Sequence, residues 1–212
     1  MRVCAVITSR YGSTRLPGKA LMNIEGKPLL QRVVERTRQA MVDNVIVATT
    51  FGDYRIQDFC KDNHIQYSLG ETDDILGRLY WASKEYSILV RVWGDCPLVS
   101  PELINMVLYE YTKRPDGYWA NTGWPVGLNI AVMGTDLLTE KHRELATPQD
   151  REWFHKYMMD CDGTYNLANY EDQSGMNLSV NTLEDLEFIR KVYRTYDNPT
   201  WENAVELLMQ GS

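Results

Sequence analysis

Short apolar runs alternate with amphipathic segments along the first half of the chain. The runs are rich in β-branched residues and have the length of buried strands, whereas the segments between them repeat their apolar residues at helical spacing. The predicted strands are 2–8, 44–50, 65–69 and 87–93. The predicted helices are 29–40, 53–63, 73–86 and 101–113. This alternation predicts an α/β domain with a mostly parallel central sheet and helices on both faces.

The pattern changes after about residue 113. Strands are predicted at 117–121, 127–133 and 164–170, and helices at 134–145, 148–160, 182–195 and 200–209. In the helix over 182–195, Leu183, Leu186, Ile189 and Val192 are expected to face inward. No repeat or low-complexity tract divides the chain, so we expect one domain over 1–212. In it, about 114–180 forms an insert and 181–212 adds closing helices.

Three polar or glycine-rich segments directly follow predicted strands. They are Ser9–Lys19, the Ala48-Thr49-Thr50 end of the second strand, and Gly94-Asp95-Cys96-Pro97. In open α/β sheets, ligands bind beyond the carboxyl ends of the strands. We therefore expect these segments to meet in one crevice.

Charge is distributed unevenly along the chain. Residues 1–40 contain 8 Lys and Arg against 2 acidic residues, which gives this segment a net charge of +6. Because the whole chain has a net charge of −7, the remaining residues carry −13. Such a split suggests that the first segment meets an anion. Arg10, Arg15 and Lys19 belong to a loop that also contains Gly12 and Gly18. The basic residues of the first predicted helix are expected to form a solvated face; they are Arg32, Arg36 and Arg38.

Composition excludes several classes of protein. An acidic domain, of pI about 5.0, is unlike a nucleic-acid binder. No run reaches the ~18 apolar residues of a membrane span, and the first apolar run is too short for a signal peptide. We therefore expect a cytoplasmic protein with no membrane partner. The four cysteines, at 4, 60, 96 and 161, have no metal-site spacing, so we expect reduced thiols.

The basic loop suits phosphate, because glycines let backbone N–H groups approach an anion and arginine forks fit its oxygens. The spacing differs from a Walker A loop, since five residues separate the glycines and Ala20 follows the lysine. A basic surface loop is the alternative. The string from Arg10 to Lys19 resembles the signature of cytidylyltransferases that make CMP-activated sugars. It is most similar to the spore-coat-polysaccharide type, a branch that includes phosphonate cytidylyltransferases.

The resemblance continues in order along nearly the whole chain. The further matching segments are Val47–Thr50, Asp73–Arg78, Arg91–Leu98 and Val180–Leu186. It implies a Rossmann-like nucleotidyltransferase fold with the nucleotide-binding part at about 1–113. It also implies a CTP donor, Mg²⁺, release of pyrophosphate and a homodimer.

By position, the resemblance implies roles for single residues. Arg10, Gly12, Ser13, Arg15 and Lys19 would hold the CTP triphosphate, and Asp95 would bind the metal at the α-phosphate. Three further residues would shape the base and ribose pocket, namely Thr49, Asp74 and Arg78. For Asp74, the alternative is an acidic residue in the first turn of a helix.

Two departures bear on the metal. Asn181 stands where the family has a second metal-binding aspartate, and Asn129 replaces another family aspartate. An amide carries no charge, so both changes should weaken Mg²⁺ binding. Three alternatives stay open: Asn181 is a neutral ligand, Asp185 substitutes unless it caps its helix, or the chain binds nucleotide without turnover.

The acceptor side is expected in the insert. The segment Tyr118–Pro125 combines aromatic rings with polar groups such as Asn121, which suits a ligand wall. Trp119 and Trp124 in it suit core packing or a dimer seam equally well. Arg151 is the candidate for the acceptor's anionic group, with Lys156 a weaker one. Arg91, inside a strand, is expected to be an internal ion-pair partner.

These expectations combine into one predicted reaction: transfer of CMP from CTP to a small anionic acceptor, a phosphonate or a sugar acid. No histidine falls in a matched motif, which favours an acceptor oxygen that is already ionised. One alternative is a nucleotide-binding pseudoenzyme acting as a regulatory or scaffold subunit. Another is a nucleotidyltransferase that uses a different NTP and a sugar phosphate.

Overall fold

The computed structural model of the chain describes residues 1–159 and 163–210. Its strands are β1 (Val3–Thr8), β2 (Asn23–Ile24), β3 (Lys27–Pro28), β4 (Asn44–Thr50), β5 (Gln66–Gly70), β6 (Ile88–Trp93), β7 (Tyr118–Thr122), β8 (Ala131–Gly134) and β9 (Thr164–Ala168). Its helices are α1 (Leu29–Thr37), α2 (Tyr54–Asp62), α3 (Ile75–Ser83), α4 (Pro101–Lys113), α5 (Thr135–Glu144), α6 (Pro148–Glu152), α7 (His155–Met159), α8 (Leu183–Thr195) and α9 (Trp201–Gln210). A 3₁₀ turn covers Lys19–Leu21.

A seven-stranded sheet with the order β5-β4-β1-β6-β8-β7-β9 forms the centre of the molecule. The pairs β4–β5, β1–β4, β1–β6 and β7–β9 are parallel, whereas β8 runs antiparallel to both of its neighbours. The carboxyl ends of β1, β4 and β6 therefore meet at one edge of the sheet. The predicted α/β fold with a mostly parallel sheet is confirmed.

Helices cover both faces of this sheet. Along β1, Ala5 and Ile7 face a core layer with α1, α4, α8 and α9, and Cys4 and Val6 face a second layer with α3 and α5. Successive side chains of a strand point to opposite faces, so a strand covered on both faces is apolar throughout.

Most predicted elements appear within a few residues of their expected bounds, and three differences have local causes. The region 148–160 forms two short helices, α6 and α7, and its residue 160 lies outside the described part. The strand predicted over 127–133 begins only at Ala131, because 127–130 form a loop. Leu183 is 54% exposed rather than buried, since it starts α8 directly after the cap residue Thr182.

Arg36 of α1 corrects the expectation of a fully solvated basic face. It is 9% exposed, and its guanidinium donates to Val99 O at 2.7 Å and Pro199 O at 3.0 Å. Arg32 also donates to backbone carbonyls, and Arg38 is exposed. Within the described residues, no helix combines the length and the apolar character that a membrane span requires.

Candidate active site

The loop between β1 and the 3₁₀ turn is held in shape by its own backbone and by one carboxylate. Tyr11 O accepts from Ser13 N and Gly18 N, both at 2.9 Å. Tyr11 N donates to Asp53 Oδ2 at 2.6 Å. Asp53 directly precedes α2 but makes no side-chain cap bond there. Its carboxylate instead fixes the basic loop, so the loop is preformed.

Gly94 lets the ends of β1 and β6 approach closely. Its N–H donates to Thr8 O at 3.0 Å. A Cβ at this position would lie 2.6 Å from the same oxygen and 2.8 Å from Ser9 Cβ. Only glycine fits without a backbone shift, and the close approach brings Asp95 next to the basic loop.

Lys19 lies at the centre of the strand-end cluster. Its Nζ donates to Asp95 Oδ2 at 2.8 Å, to Val180 O at 2.7 Å and to Asn181 Oδ1 at 3.1 Å. The Lys19 and Asp95 side chains are 13% and 27% exposed. One ammonium group thus connects the end of β6 with the segment before α8.

Asn181 is bonded to cations in this conformation. Its Oδ1 accepts from Arg15 Nη2 at 2.8 Å as well as from Lys19, and its Nδ2 donates to Ser179 Oγ at 2.8 Å. Asp185 is used differently, because it completes a capping box with Thr182 at the start of α8. Its Oδ2 also accepts from Asn181 N at 2.8 Å. The carboxylate therefore caps the helix, which is the other interpretation of Asp185, and its Oδ2 is occupied by backbone donors in this conformation.

A first pocket of about 240 Å³ opens above these strand ends. Six of the residues predicted to bind the triphosphate or the metal line it, together with Arg78 from the predicted base and ribose pocket; the six are Arg10, Ser13, Arg15, Lys19, Asp95 and Asn181. Burial lowers the pKa of Arg78, and neighbouring Arg10 lowers it further. The cations of this pocket thus lie close enough to repel one another, as expected where a polyanion binds.

Three residues predicted for the nucleotide site lie outside the walls of the first pocket. Thr49 is fully buried, and its hydroxyl donates to Asp53 Oδ2 at 3.4 Å. Asp74 caps α3 through Gly77 N at 2.7 Å, which is the alternative interpretation of that residue. A Cβ on Gly12 would meet no atom within 4 Å, so this glycine lies in open space. Thr49 and Asp74 therefore both have structural partners.

A second pocket, of about 500 Å³, adjoins the first and shares Arg15, Trp93, Asp95 and Asn181 with it. This volume suits a small ligand. Tyr118, Asn121 and Asn129 from the insert line it, as expected for the acceptor side. The Asn121 amide donates to Leu128 O at 3.0 Å and accepts from Ile130 N at 2.6 Å. It therefore shapes the loop behind the wall.

Arg151, the residue predicted to bind the acceptor's anion, does not line this pocket. Its Nη2 donates to Asp74 Oδ2 at 2.8 Å, and its Nη1 donates to His142 O and Leu145 O at 3.0 Å. The guanidinium is thus bonded within the fold, where it links α6 to the residue that caps α3. Lys156 packs on the Trp153 ring at 5.1 Å.

Of the aromatic residues in the predicted ligand wall, Tyr118 lines the second pocket and the two tryptophans do not. Trp119 and Trp124 both pack against the larger core layer, and Trp119 lies 4.7 Å from the Tyr165 ring. The indole rings in the pocket wall are those of Trp93 and Trp153. The core-packing alternative for Trp119 and Trp124 therefore fits the structure better than a ligand wall.

Sequence reasoning missed two polar residues in the wall of the second pocket, Arg91 and His155. Arg91 was expected in an ion pair, yet no carboxylate of the described residues pairs with it. Burial lowers the pKa of His155, and Arg91 and Lys156 lower it further, so the ring is neutral at pH 7. A charged residue in an otherwise apolar strand was the available signal for Arg91.

The oxygen atoms around Asp95 fit a hard divalent cation that takes most of its ligands from the substrate and from water. Among the described residues, no group of three His, Cys, Asp or Glu could hold a metal by itself. Among the described residues that line the two pockets, Asp95 is the only one with a carboxylate. Mg²⁺ bound with substrate phosphates commonly takes one or two protein carboxylates and several waters. The set fits such an ion if the nucleotide supplies phosphate oxygens.

Comparison with known proteins agrees with this geometry. A family model described as cytidylyltransferase matches residues 4–204. The spore coat polysaccharide biosynthesis protein SpsF of Bacillus subtilis is 26% identical over 218 residues, covering 96% of this chain and 91% of that protein. A 3-deoxy-manno-octulosonate cytidylyltransferase of Trichlorobacter lovleyi is 39% identical over 120 residues, covering 54% of this chain but only 47% of that protein.

A solved structure covers the whole chain. A cytidylyltransferase from Leptospira borgpetersenii superimposes with a TM-score of 0.91 at 25% identity, covering 100% of this chain and 95% of that one. The similarity therefore includes the insert as well as the strand-end cluster. Because the family model spans nearly all of its residues, the chain belongs to the cytidylyltransferase family, a family of CTP-dependent nucleotidyltransferases.

Proposed function

We propose that the protein transfers the CMP group of CTP to a small anionic acceptor, a sugar acid or a phosphonate, and releases pyrophosphate. The observation that carries this proposal is the meeting of two pockets at Asp95. The first pocket is lined by four cationic side chains, which suits a triphosphate, and the second suits a small ligand. A reacting phosphorus beside Asp95 would be accessible from both pockets.

Positioning and charge neutralisation account for the chemistry. The acceptor oxygen attacks the α-phosphorus in line, so that one O–P bond forms while the bond to the β-phosphate oxygen breaks. A phosphonate oxygen is already ionised and needs no base, whereas the attacking hydroxyl of a sugar acid would release its proton to solvent. Arg10, Ser13, Arg15 and Lys19 hold the triphosphate. Two of these residues, Arg15 and Lys19, also stabilise the charge on the leaving pyrophosphate.

No covalent nucleophile is required. Cys96 lines the second pocket, and its Sγ donates to Asp95 Oδ1 at 3.5 Å. Burial, and then the Asp95 charge, hold the pKa of this thiol well above its ordinary value. The thiol therefore stays protonated at neutral pH, and direct attack by the acceptor fits the site better.

Mg²⁺ bound at Asp95 would supply Lewis-acid polarisation of the α-phosphate. In the present conformation, Arg15 and Lys19 donate to Asn181 Oδ1. When these cations turn toward a triphosphate, the amide oxygen becomes available as a neutral ligand. Replacing Asn181→Asp tests this role: we expect a lower Mg²⁺ requirement, whereas an unchanged requirement and rate would show that position 181 is not a ligand.

The amide at position 181 also favours a second candidate, a protein that binds nucleotide without turnover. One experiment separates the two. The chain is incubated with each NTP, Mg²⁺ and a panel of sugar acids, phosphonates and sugar phosphates, and pyrophosphate is measured. We expect release with CTP and an anionic acceptor. CTP binding without release for any acceptor would support the second candidate, and release with another NTP and a sugar phosphate would correct the donor and the acceptor.

The assembly of the protein completes the proposal. We infer a homodimer, supported by the family resemblance. Size-exclusion chromatography with light scattering measures this: a mass near twice 24.5 kDa is expected, and a mass near 24.5 kDa would contradict it.

A further inference from the structure

Arg91 occupies an unusual position for a charged residue. It lies in β6, an interior strand, and its backbone is in register with Val6 of β1 and Ala131 of β8. Its side chain shares a strand face with Leu89 and Trp93, is 3% exposed, and lines the second pocket. The strand thus places one guanidinium at the base of the proposed acceptor pocket.

The charge of Arg91 is not balanced by the described residues. Its Nε and Nη1 atoms are buried and have no hydrogen-bond partner. The surrounding groups are the Trp93 ring, 4.2 Å from the guanidinium carbon, and the Phe154 ring, at 5.0 Å. Burial lowers the pKa of Arg91 to about 10, so the group stays charged at neutral pH. A buried cation without an anion is strongly unfavourable unless a ligand compensates it.

Another buried arginine of the same chain shows what a structural role looks like. Arg36 is also buried, but its Nε and Nη1 donate to the carbonyls of Val99 and Pro199. The fold therefore satisfies one buried guanidinium with backbone oxygens and leaves the Nε and Nη1 of the other without partners. Arg36 also lines a pocket, of about 400 Å³, so the difference is that the donors of Arg36 are already bonded within the fold, whereas those of Arg91 stay available to a ligand.

We propose that Arg91 binds the anionic group of the acceptor, a carboxylate or a phosphonate, through its guanidinium fork. This inference rests on the proposed function only in taking the second pocket as the acceptor's. A bidentate pair between arginine and an oxyanion satisfies nitrogen donors and charge together. In this role Arg91 takes the place of Arg151, the residue predicted from the sequence, whose guanidinium is bonded to Asp74.

His155 supports the same location. Its buried Nδ1 has no partner, and it lines the same pocket. Because the ring is neutral, it can donate or accept one hydrogen bond next to the guanidinium without adding a second positive charge. The two side chains together place unpaired nitrogen atoms in a wall that also contains the Trp93 and Trp153 rings.

The test compares Arg91→Met with the matched control Arg36→Met. Binding is measured by isothermal titration with two probes, 3-deoxy-manno-octulosonate for the carboxylate source and methylphosphonate for the phosphonate source. A non-hydrolysable CTP analogue and Mg²⁺ keep the first pocket filled. Thermal unfolding of each variant is measured alongside. Arg91→Lys, which keeps the charge but not the fork, serves as a second variant if Arg91→Met does not fold.

We expect the wild type to bind at least one probe, and the identity of that probe tells which anion the pocket takes. Arg91→Met should weaken its binding at least tenfold and Arg91→Lys about three- to tenfold, with the CTP analogue bound as in the wild type. The thermal midpoint of Arg91→Met should be unchanged or higher, because an unpaired buried charge is removed. Arg36→Met should lower the midpoint and leave probe binding within twofold.

Three results would overturn the inference: no binding of either probe to the wild type, wild-type affinity in Arg91→Met, or a loss of stability in Arg91→Met like that in Arg36→Met. Failure of the proposed function gives a different result. If pyrophosphate is never released but probe binding still depends on Arg91, the anion site stands and the transfer reaction does not. If transfer occurs and Arg91→Met leaves the KM of the acceptor unchanged, the anion site alone is wrong.

Discussion

Lys19 connects the triphosphate loop to Asp95, and its replacement by methionine separates its two roles. Its ammonium makes three short contacts, to Asp95, Val180 and Asn181. Hydrogen bonds to charged groups contribute about 1.5–3 kcal/mol each, but methionine keeps the aliphatic packing and the 27% exposed Asp95 regains water. We therefore expect Lys19→Met to lower the free energy of unfolding by only about 1–3 kcal/mol.

The effect of Lys19→Met on turnover should be larger than its effect on folding. Losing one preorganised donor at a reacting group costs about 10²–10³ in rate, so kcat/KM for CTP should fall by about that factor. Steady-state pyrophosphate release and urea unfolding measure the two quantities. Lys27→Met is the control, because Lys27 forms an exposed pair with Glu35 and should change stability by less than about 1 kcal/mol. A kcat/KM within threefold of wild type in Lys19→Met would refute the role of this ammonium.

Further predictions concern the packing and titration of the fold. Arg151→Met should lower the free energy of unfolding by about 1–3 kcal/mol without changing the KM of the acceptor; a raised KM would restore Arg151 to the site. Gly94→Ala should destabilise the chain by about 1–3 kcal/mol, and Gly12→Ala by less than about 0.5 kcal/mol, in urea unfolding; equal losses would contradict the close strand approach. Burial lowers the pKa values of His142 and His155. A neighbouring arginine lowers each of them further, Arg151 for His142 and Arg91 for His155. Their stabilising contribution is therefore complete above pH about 6.5 and is lost as the pH falls through the folded-state pKa values; replacing both by glutamine should flatten that decline, and an unchanged slope would argue against it.

Sequence periodicity predicts the sheet and its helices well, because a strand buried on both faces and an amphipathic helix have different apolar repeats. It also predicts the strand-end crevice, since parallel strands end at one edge. It fails at Leu183 and at the break between α6 and α7, where the end of a helix depends on local caps and packing. Such boundaries are not encoded in the apolar repeat.

The site is predictable as a place but only partly as a set of side chains. Arg36 lies in a polar stretch of the sequence and Arg91 in an apolar one, yet the buried guanidinium of Arg36 finds acceptors, on residues 63 and 163 positions away, and two nitrogens of Arg91 do not. Likewise, Asp74 and Arg151 match family positions but bind each other across 77 positions. Pairing between distant segments decides which charges stay available to a ligand, and no local pattern contains that information.

The central claim is that the two pockets hold the donor and the acceptor on either side of Asp95. A crystal structure with Mg²⁺, a non-hydrolysable CTP analogue and an anionic acceptor measures it most directly. We expect the triphosphate to contact Arg10, Arg15 and Lys19, with the α-phosphate next to Asp95 and the acceptor in the second pocket. A nucleotide bound elsewhere, or one whose α-phosphate lies away from Asp95 and the second pocket, would contradict it.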